Sequence, residues 1–211
     1  SDFLDPIQRA RNKRTEQMVQ RLNEHVRTWG IRSIDFDRDV YDCSEAAAGG
    51  SITERHMLHA LARRLVDTVG RGTAVTRFLT DRLGFRLPAK ITGYLEDPAN
   101  PHYLYDLLGV FKSSLLGQIY IQPDHEECIN VQRAVDFARS VGAIPAYAYL
   151  GDVGESHTGD KAAAKYEDDF LDELAEEIAR IGFQAITYMP PRNSRKQIER
   201  VQGLCRQHDL M

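Results

Sequence analysis

The chain has no apolar run near the roughly 20 residues that a membrane helix needs, and no short apolar stretch behind a basic start. A membrane partner is therefore not expected, and a cytoplasmic setting is. Cysteine is scarce: Cys43, Cys128 and Cys205 are odd in number and far apart, which offers neither a disulfide framework nor a zinc spacing and predicts reduced thiols. A strong excess of one charge is missing too. Residues 1–90 carry 16 Lys/Arg against 12 Asp/Glu and residues 91–211 carry 11 against 19, a split of +4 and −8 within a net −4. That is too weakly basic for a nucleic-acid surface, so no nucleic-acid partner is expected. No Walker loop, G-x-G-x-x-G, His-Glu-x-x-His or G-x-S-x-G occurs, which removes the commonest nucleotide, zinc-protease and hydrolase-elbow signatures.

What is present is 211 residues with 42% hydrophobic side chains, enough for one medium domain or two small ones. The first part reads as helix. Asp5-Pro6 suits a helix start, and Ile7, Ala10, Met18, Leu22 and Val26 give part of an apolar face. Arg9, Arg11, Lys13 and Arg14 cluster beside it, as a solvated basic face or as a steering patch for phosphate. Residues 31–40 alternate partly and suit a short strand or an irregular link. Ser51 and Glu54 have capping-box spacing for a helix lined by Leu58, Leu61, Leu65 and Val69. Arg55 and His56 then fall in its first turns, where free amides and the helix dipole favour an anion. His56 and His59 share a face that suits a metal, but no third ligand stands near. Val75, Phe78, Leu79 and Leu83 suit a further short helix, residues 87–94 are poorly patterned, and residues 97–102 make a turn-rich hinge. Tyr103, Leu107, Phe111 and Leu115 mark an apolar helix, residues 118–121 suit a strand, and the run Asp124 to Glu127 reads as an acidic helix N-terminus.

From Gly142 onward the pattern changes. Residues 143–150 alternate apolar with apolar, as in a strand covered on both faces. Tyr166, Phe170, Leu171, Leu174, Ile178 and Ile181 recur at helical spacing, Gly182 ends that helix, and residues 183–189 form a second strand. Ser194 and Gln197 cap the next helix, and residues 207–211 read as its exit into a strand. A helix between two such strands is a βαβ unit with a parallel sheet. Ligands in these folds meet the loops at the carboxyl ends of the strands, which puts Tyr149, Asp152, Arg192 and Asn193 forward as candidate site residues.

The stretch Gly142-Ala-Ile-Pro-Ala-Tyr-Ala-Tyr-Leu-Gly151 resembles the strand G-G-V-A-V-L-A-H-P-G of the PHP (polymerase and histidinol phosphatase) family of metal-dependent phosphoesterases. The stretch from Gly182 to Asn193 is similar to that family's next strand, which ends near Y-x-P-x-H-s. Residues 52–61 (Ile-Thr-Glu-Arg-His-Met-Leu-His-Ala-Leu) resemble the T-R-P-H-x-A-R-x-L start of a helical insertion in one PHP branch. The resemblance spans roughly residues 7–211. It implies an α/β fold, a partial (β/α) barrel with an inserted, mostly helical subdomain, in which residues 1–100 are mainly helical and residues 101–211 hold the βαβ part. It also implies a divalent metal (Mn, Zn or Fe) in the full-length protein and a small phosphorylated molecule as partner, with Arg55, His56 and Arg192 as phosphate contacts. Tyr149 stands at a position of a metal-binding His and Arg192 at another, and the family's His-x-His and Asp-x-His strands are absent. No complete metal centre is expected from this chain's own residues. Two functions follow: the substrate side of a phosphoesterase, with a second copy or the remainder of a longer protein completing the core, or a phosphorylated-ligand binding module whose metal site has decayed. A helical interaction domain with an incidental βαβ tail is a third.

Overall fold

The computed structural model describes residues 2–151, 167–191 and 193–211. The chain divides into two compact units, residues 1–128 and 129–211. The helical unit therefore runs past residue 100, where the sequence reading divides the chain.

The first unit is built from helices: α1 (Leu4–Thr28), α2 (Glu54–Val69), α3 (Thr73–Arg77), α4 (Ala89–Glu96), α5 (Tyr103–Ser114) and α6 (Leu116–Ile119). On α1, Thr15, Met18, Val19, Leu22 and Val26 are buried, the three-and-four spacing of one helical face. On α2 the buried face is Met57, Leu58, Leu61, Ala62 and Leu65, and on α5 it is Tyr103, Leu107, Val110 and Phe111. These faces, with Val75 and Leu79, make one continuous core. The link from α1 is irregular rather than a strand. Asn23 clamps it, donating to the Ile34 carbonyl and accepting from the Ile34 amide, both at 2.8 Å, while Ile31 and Ile34 turn inward. A π-helical turn at Asp37–Tyr41 follows.

Several local expectations need correction. The cap of α2 is Thr53, with His56 as its third-position partner, because the helix begins at Glu54; Ser51 and Glu54 do not form the box. Residues 118–121 are not a strand: Leu115, Leu116 and Ile119 fall on a helical spacing, and Ile119 is buried in α6. Asp124 to Glu127 form a turn, and the next helix starts only at Val131, where Asn130 accepts from the Gln132 amide at 2.9 Å. Glu127 instead takes the basic cluster of α1, with Arg11 Nε at 2.9 Å and Arg14 Nε at 2.6 Å. Its side chain is 6% exposed, so these two arginines are holding the fold together. Residues 87–94, poorly patterned in sequence, fall largely in helix α4, which begins behind Pro88.

The second unit contains α7 (Val131–Ser140), β1 (Ala146–Ala148), α8 (Leu171–Ile181), β2 (Ala185–Thr187) and α9 (Arg195–Gln207). β1 and β2 pair in parallel, Ala146 with Ala185 and Ala148 with Thr187. Met211 takes the bonding of a further parallel residue beside β2, donating to Gln184 O at 2.9 Å and accepting from Ile186 N at 3.0 Å. Leu171, Ala175 and Ile178 of α8 and Val201 and Leu204 of α9 pack on Ile186 and Tyr149. Among the described residues, only this face is covered by packed helices. Ile144, Ala146, Ala148 and Leu150 form the opposite row and stay exposed, as does Phe170, which precedes the helix it was assigned to. Tyr166 lies outside the described residues.

The expected partial (β/α) barrel of PHP type is overturned. Among the described residues the only sheet is this two-stranded pair of three-residue strands, and the chain is otherwise mostly helical. The physical reason lies in the apolar spacing. From α1 to α6 it is 3.6-residue throughout, which builds helix on helix, and the two short strands cannot close a barrel. No described helix is long and apolar enough to cross a membrane.

Candidate functional site

In the first unit a cleft runs along the polar side of α2. One cavity, of about 360 Å³, is lined by Arg55, His56, His59, Tyr105, Asp39 and Cys43, together with Thr53 and Leu108. A second, of about 240 Å³, shares Asp39 and Cys43 and adds Arg38, Arg63, Arg64 and Asp67. Each wall has a sequence origin. The capped start of α2 fixes Arg55 and His56, its next turns carry His59, Arg63 and Arg64 away from the buried leucines, and the π-helical turn brings in Asp39. Arg55 and His56 are thus brought together in one cavity. Sequence reasoning missed Asp39, Arg63, Arg64, Cys43 and Tyr105; the signal for the arginines was their place seven and eight residues beyond His56 on the polar side of α2.

The hydrogen bonds define what these groups can do. The Thr53 amide donates to His56 Nδ1 at 3.1 Å, so the neutral ring carries its proton on Nε2 and presents an N–H donor. The ring is therefore committed as a cap at one nitrogen, which argues against the metal pair with His59. His59 stacks obliquely on Tyr105, centroids 5.9 Å apart, and burial pushes its pKa below 6.5, with Arg63 and then His56 adding to the shift. Asp39 accepts from Arg64 at 2.6 and 2.8 Å, from Arg38 at 3.1 Å through each of two nitrogens, and from the Asp35 amide at 2.9 Å. The Arg38 guanidinium, joined by Arg64 and the Asp35 amide, holds its carboxyl well below the usual carboxylate range despite burial. Its charge is already engaged. Arg55 and Arg63, both exposed, have no ion pair with any described carboxylate. The first cavity therefore offers one uncompensated guanidinium, that of Arg55, beside an imidazole N–H donor, a set suited to an anion with several acceptor oxygens.

The other candidates lie in the second unit. Tyr149 is 1% exposed, and its hydroxyl donates to Asp168, whose other oxygen accepts from Gln197 Nε2 at 2.6 Å. Burial first, then the Asp168 carboxylate, raises the phenol's pKa, so it is a neutral donor. Its neighbour Tyr147 donates to Glu167 at 2.8 Å and is pushed up to about 12. Glu167 also accepts from the Gly151 amide at 2.7 Å. Asn193 is buried and ties the two strand-end loops together, donating to Leu150 O at 2.9 Å and accepting from Met189 N at 2.8 Å. The expected Ser194–Gln197 capping box does form. Tyr149 and Asn193 thus have their polar atoms filled by the protein. Asp152 and Arg192 lie outside the described residues.

Comparison with family models, with curated proteins and with solved structures gave no match. The divalent metal that the PHP resemblance implies has no fitting donor set here: among the described residues no three His, Cys, Asp or Glu side chains are grouped to hold one. Tyr149 already donates to a carboxylate. No step through a metal is assigned to this chain.

Proposed function

We propose that the first unit binds the phosphate group of a small phosphorylated molecule, and that the chain serves as the substrate side of a phosphoesterase. The observation that carries this reading is the cavity lined by Arg55 and His56, in which Asp39, the only carboxylate among the described residues of its wall, is already engaged by Arg38 and Arg64. A phosphate dianion has acceptors for a guanidinium fork and an imidazole N–H together. A cytoplasmic setting goes with this reading, supported by the free state of Cys43, Cys128 and Cys205.

The structural use of Tyr149 favours a second reading, a binding module without hydrolysis. The two are separated by titrating the full chain with inorganic phosphate and with glycerol phosphate, by calorimetry and by NMR of α2 amides, followed by a hydrolysis assay with added manganese. Binding that moves the α2 amides and weakens about tenfold in Arg55→Ala supports the cleft, since a charge-assisted bond contributes on the order of 1.5–3 kcal/mol. Unchanged affinity in Arg55→Ala overturns it. Binding without turnover favours the module.

A further inference from the structure

We propose that the two cavities along α2 are subsites of one elongated site, and that its ligand carries two anionic groups, one at each end. The inference rests on the phosphate reading of the Arg55 cavity and goes beyond it. The cavities share two wall residues, Asp39 and Cys43, so they are neighbours. Arg63 stands two turns beyond His56 on the same side of α2, and roughly 12 Å of helix separates Arg55 from Arg63 at about 1.5 Å per residue.

The second cavity contains three guanidiniums, from Arg38, Arg63 and Arg64, against the carboxylates of Asp39 and Asp67. Asp39 is neutralised by Arg38 and Arg64, and its bonds to them hold both guanidiniums at the junction. Asp67 makes no ion pair with a described cation and sits one turn beyond Arg63, which leaves the cavity's three guanidiniums against two carboxylates with a net positive charge. A singly charged ligand leaves Arg63 unpaired. A ligand with anions at both ends pairs Arg55 and Arg63 at once and lays its uncharged middle across Asp39 and Cys43.

The test compares an α,ω-alkane bisphosphate with a six-carbon spacer against the matching alkyl monophosphate, by calorimetry on the full chain and its variants. The bisphosphate is expected to bind at least about tenfold more tightly, the increment of one further charge-assisted pair. Arg63→Ala is expected to remove that increment and leave the monophosphate affinity unchanged. Alkylation followed by peptide mapping gives a second readout: the bisphosphate should slow modification of Cys43 and not of exposed Cys128. Equal affinities for the two compounds, with monophosphate binding still lost in Arg55→Ala, overturn the second subsite and leave the phosphate cleft standing. A bisphosphate preference that survives Arg63→Ala also overturns it. If neither compound binds, both readings fall together.

Discussion

Replacing Asp39 with Asn tests whether one carboxylate organises the cleft. The side chains of Asp39 and Arg64 are 16% and 17% exposed, so their pair is largely withdrawn from water, whereas Arg38 is 55% exposed. The amide keeps one oxygen and loses the charge. Arg64 is then left with its guanidinium mostly buried and without a carboxylate, which costs about 1.5–3 kcal/mol, while the exposed Arg38 pair contributes at most about 1 kcal/mol. The expected loss is about 2 kcal/mol, or a fall in Tm of roughly 6–10 °C for a unit of this size.

The acid limb supplies a sign that a merely structural substitution does not reproduce. The folded pKa of Asp39 lies below its ordinary 3.8, so its stabilisation is complete above pH 3.8 and is lost as pH falls from there through the folded value. Wild type and Asp39→Asn should therefore differ most near neutrality and converge as the pH falls below 3.8. Urea unfolding at a series of pH values measures this, and an Asp39→Asn, Arg64→Gln double-mutant cycle isolates the pair. A parallel offset at all pH values, or a cycle with no coupling, refutes the assignment of Asp39 as the strut between Arg38 and Arg64.

In His59, burial lowers the pKa below 6.5, so sulfate, whose charge is constant across the range, should bind more tightly as pH falls through the titration, while folding stability declines over the same window because the unfolded ring takes the proton first; an NMR titration placing His59 above 6.5 in the free protein contradicts this. Gly151→Ala should destabilise the second unit more than Gly142→Ala. Both have left-handed backbones, φ +71 and +75, but a Cβ at Gly151 would fall 2.5 Å from Asn193 Nδ2, whereas at Gly142 it meets nothing within 4 Å. Equal melting shifts would show that Asn193 moves aside freely. Leu61→Ala, at a fully buried site of α2, should cost about 2–5 kcal/mol in thermal unfolding, and a loss under about 1 kcal/mol would mean the helical core is not packed as described.

The helices were legible because their signal is local. Met18, Leu22 and Val26 on α1, and Leu58, Leu61 and Leu65 on α2, announce their faces by spacing alone, and each is buried. The strands were legible in place for the same reason, and their parallel pairing followed from the helix between them. What the sequence hid was the extent of order around them. Ile144 and Leu150 alternate as in a doubly covered strand, yet the ladder holds only Ala146–Ala148, and their row stays exposed. Local alternation states what a strand can tolerate on its faces; the number of partner strands is a property of distant residues, and a barrel inferred from two strands overreached.

The cleft divides along the same line. Arg55 and His56 could be found because a helix start is a local event with a known affinity for anions, even though the cap proved to be Thr53 and not Ser51. Asp39 could not, because nothing in residues 31–42 says which of Asp35, Asp37, Asp39 and Asp42 meets an arginine. That choice is made by Asn23, which fixes the Ile34 backbone from α1, and by Arg64, which waits on α2. Three separate segments must fold before the carboxylate has a partner. Once they have, Asp39 engages Arg38 and Arg64 together and leaves Arg55 and Arg63 without an ion pair to any described carboxylate, and it is this selective engagement, more than the count of basic residues, on which the proposed anion binding rests.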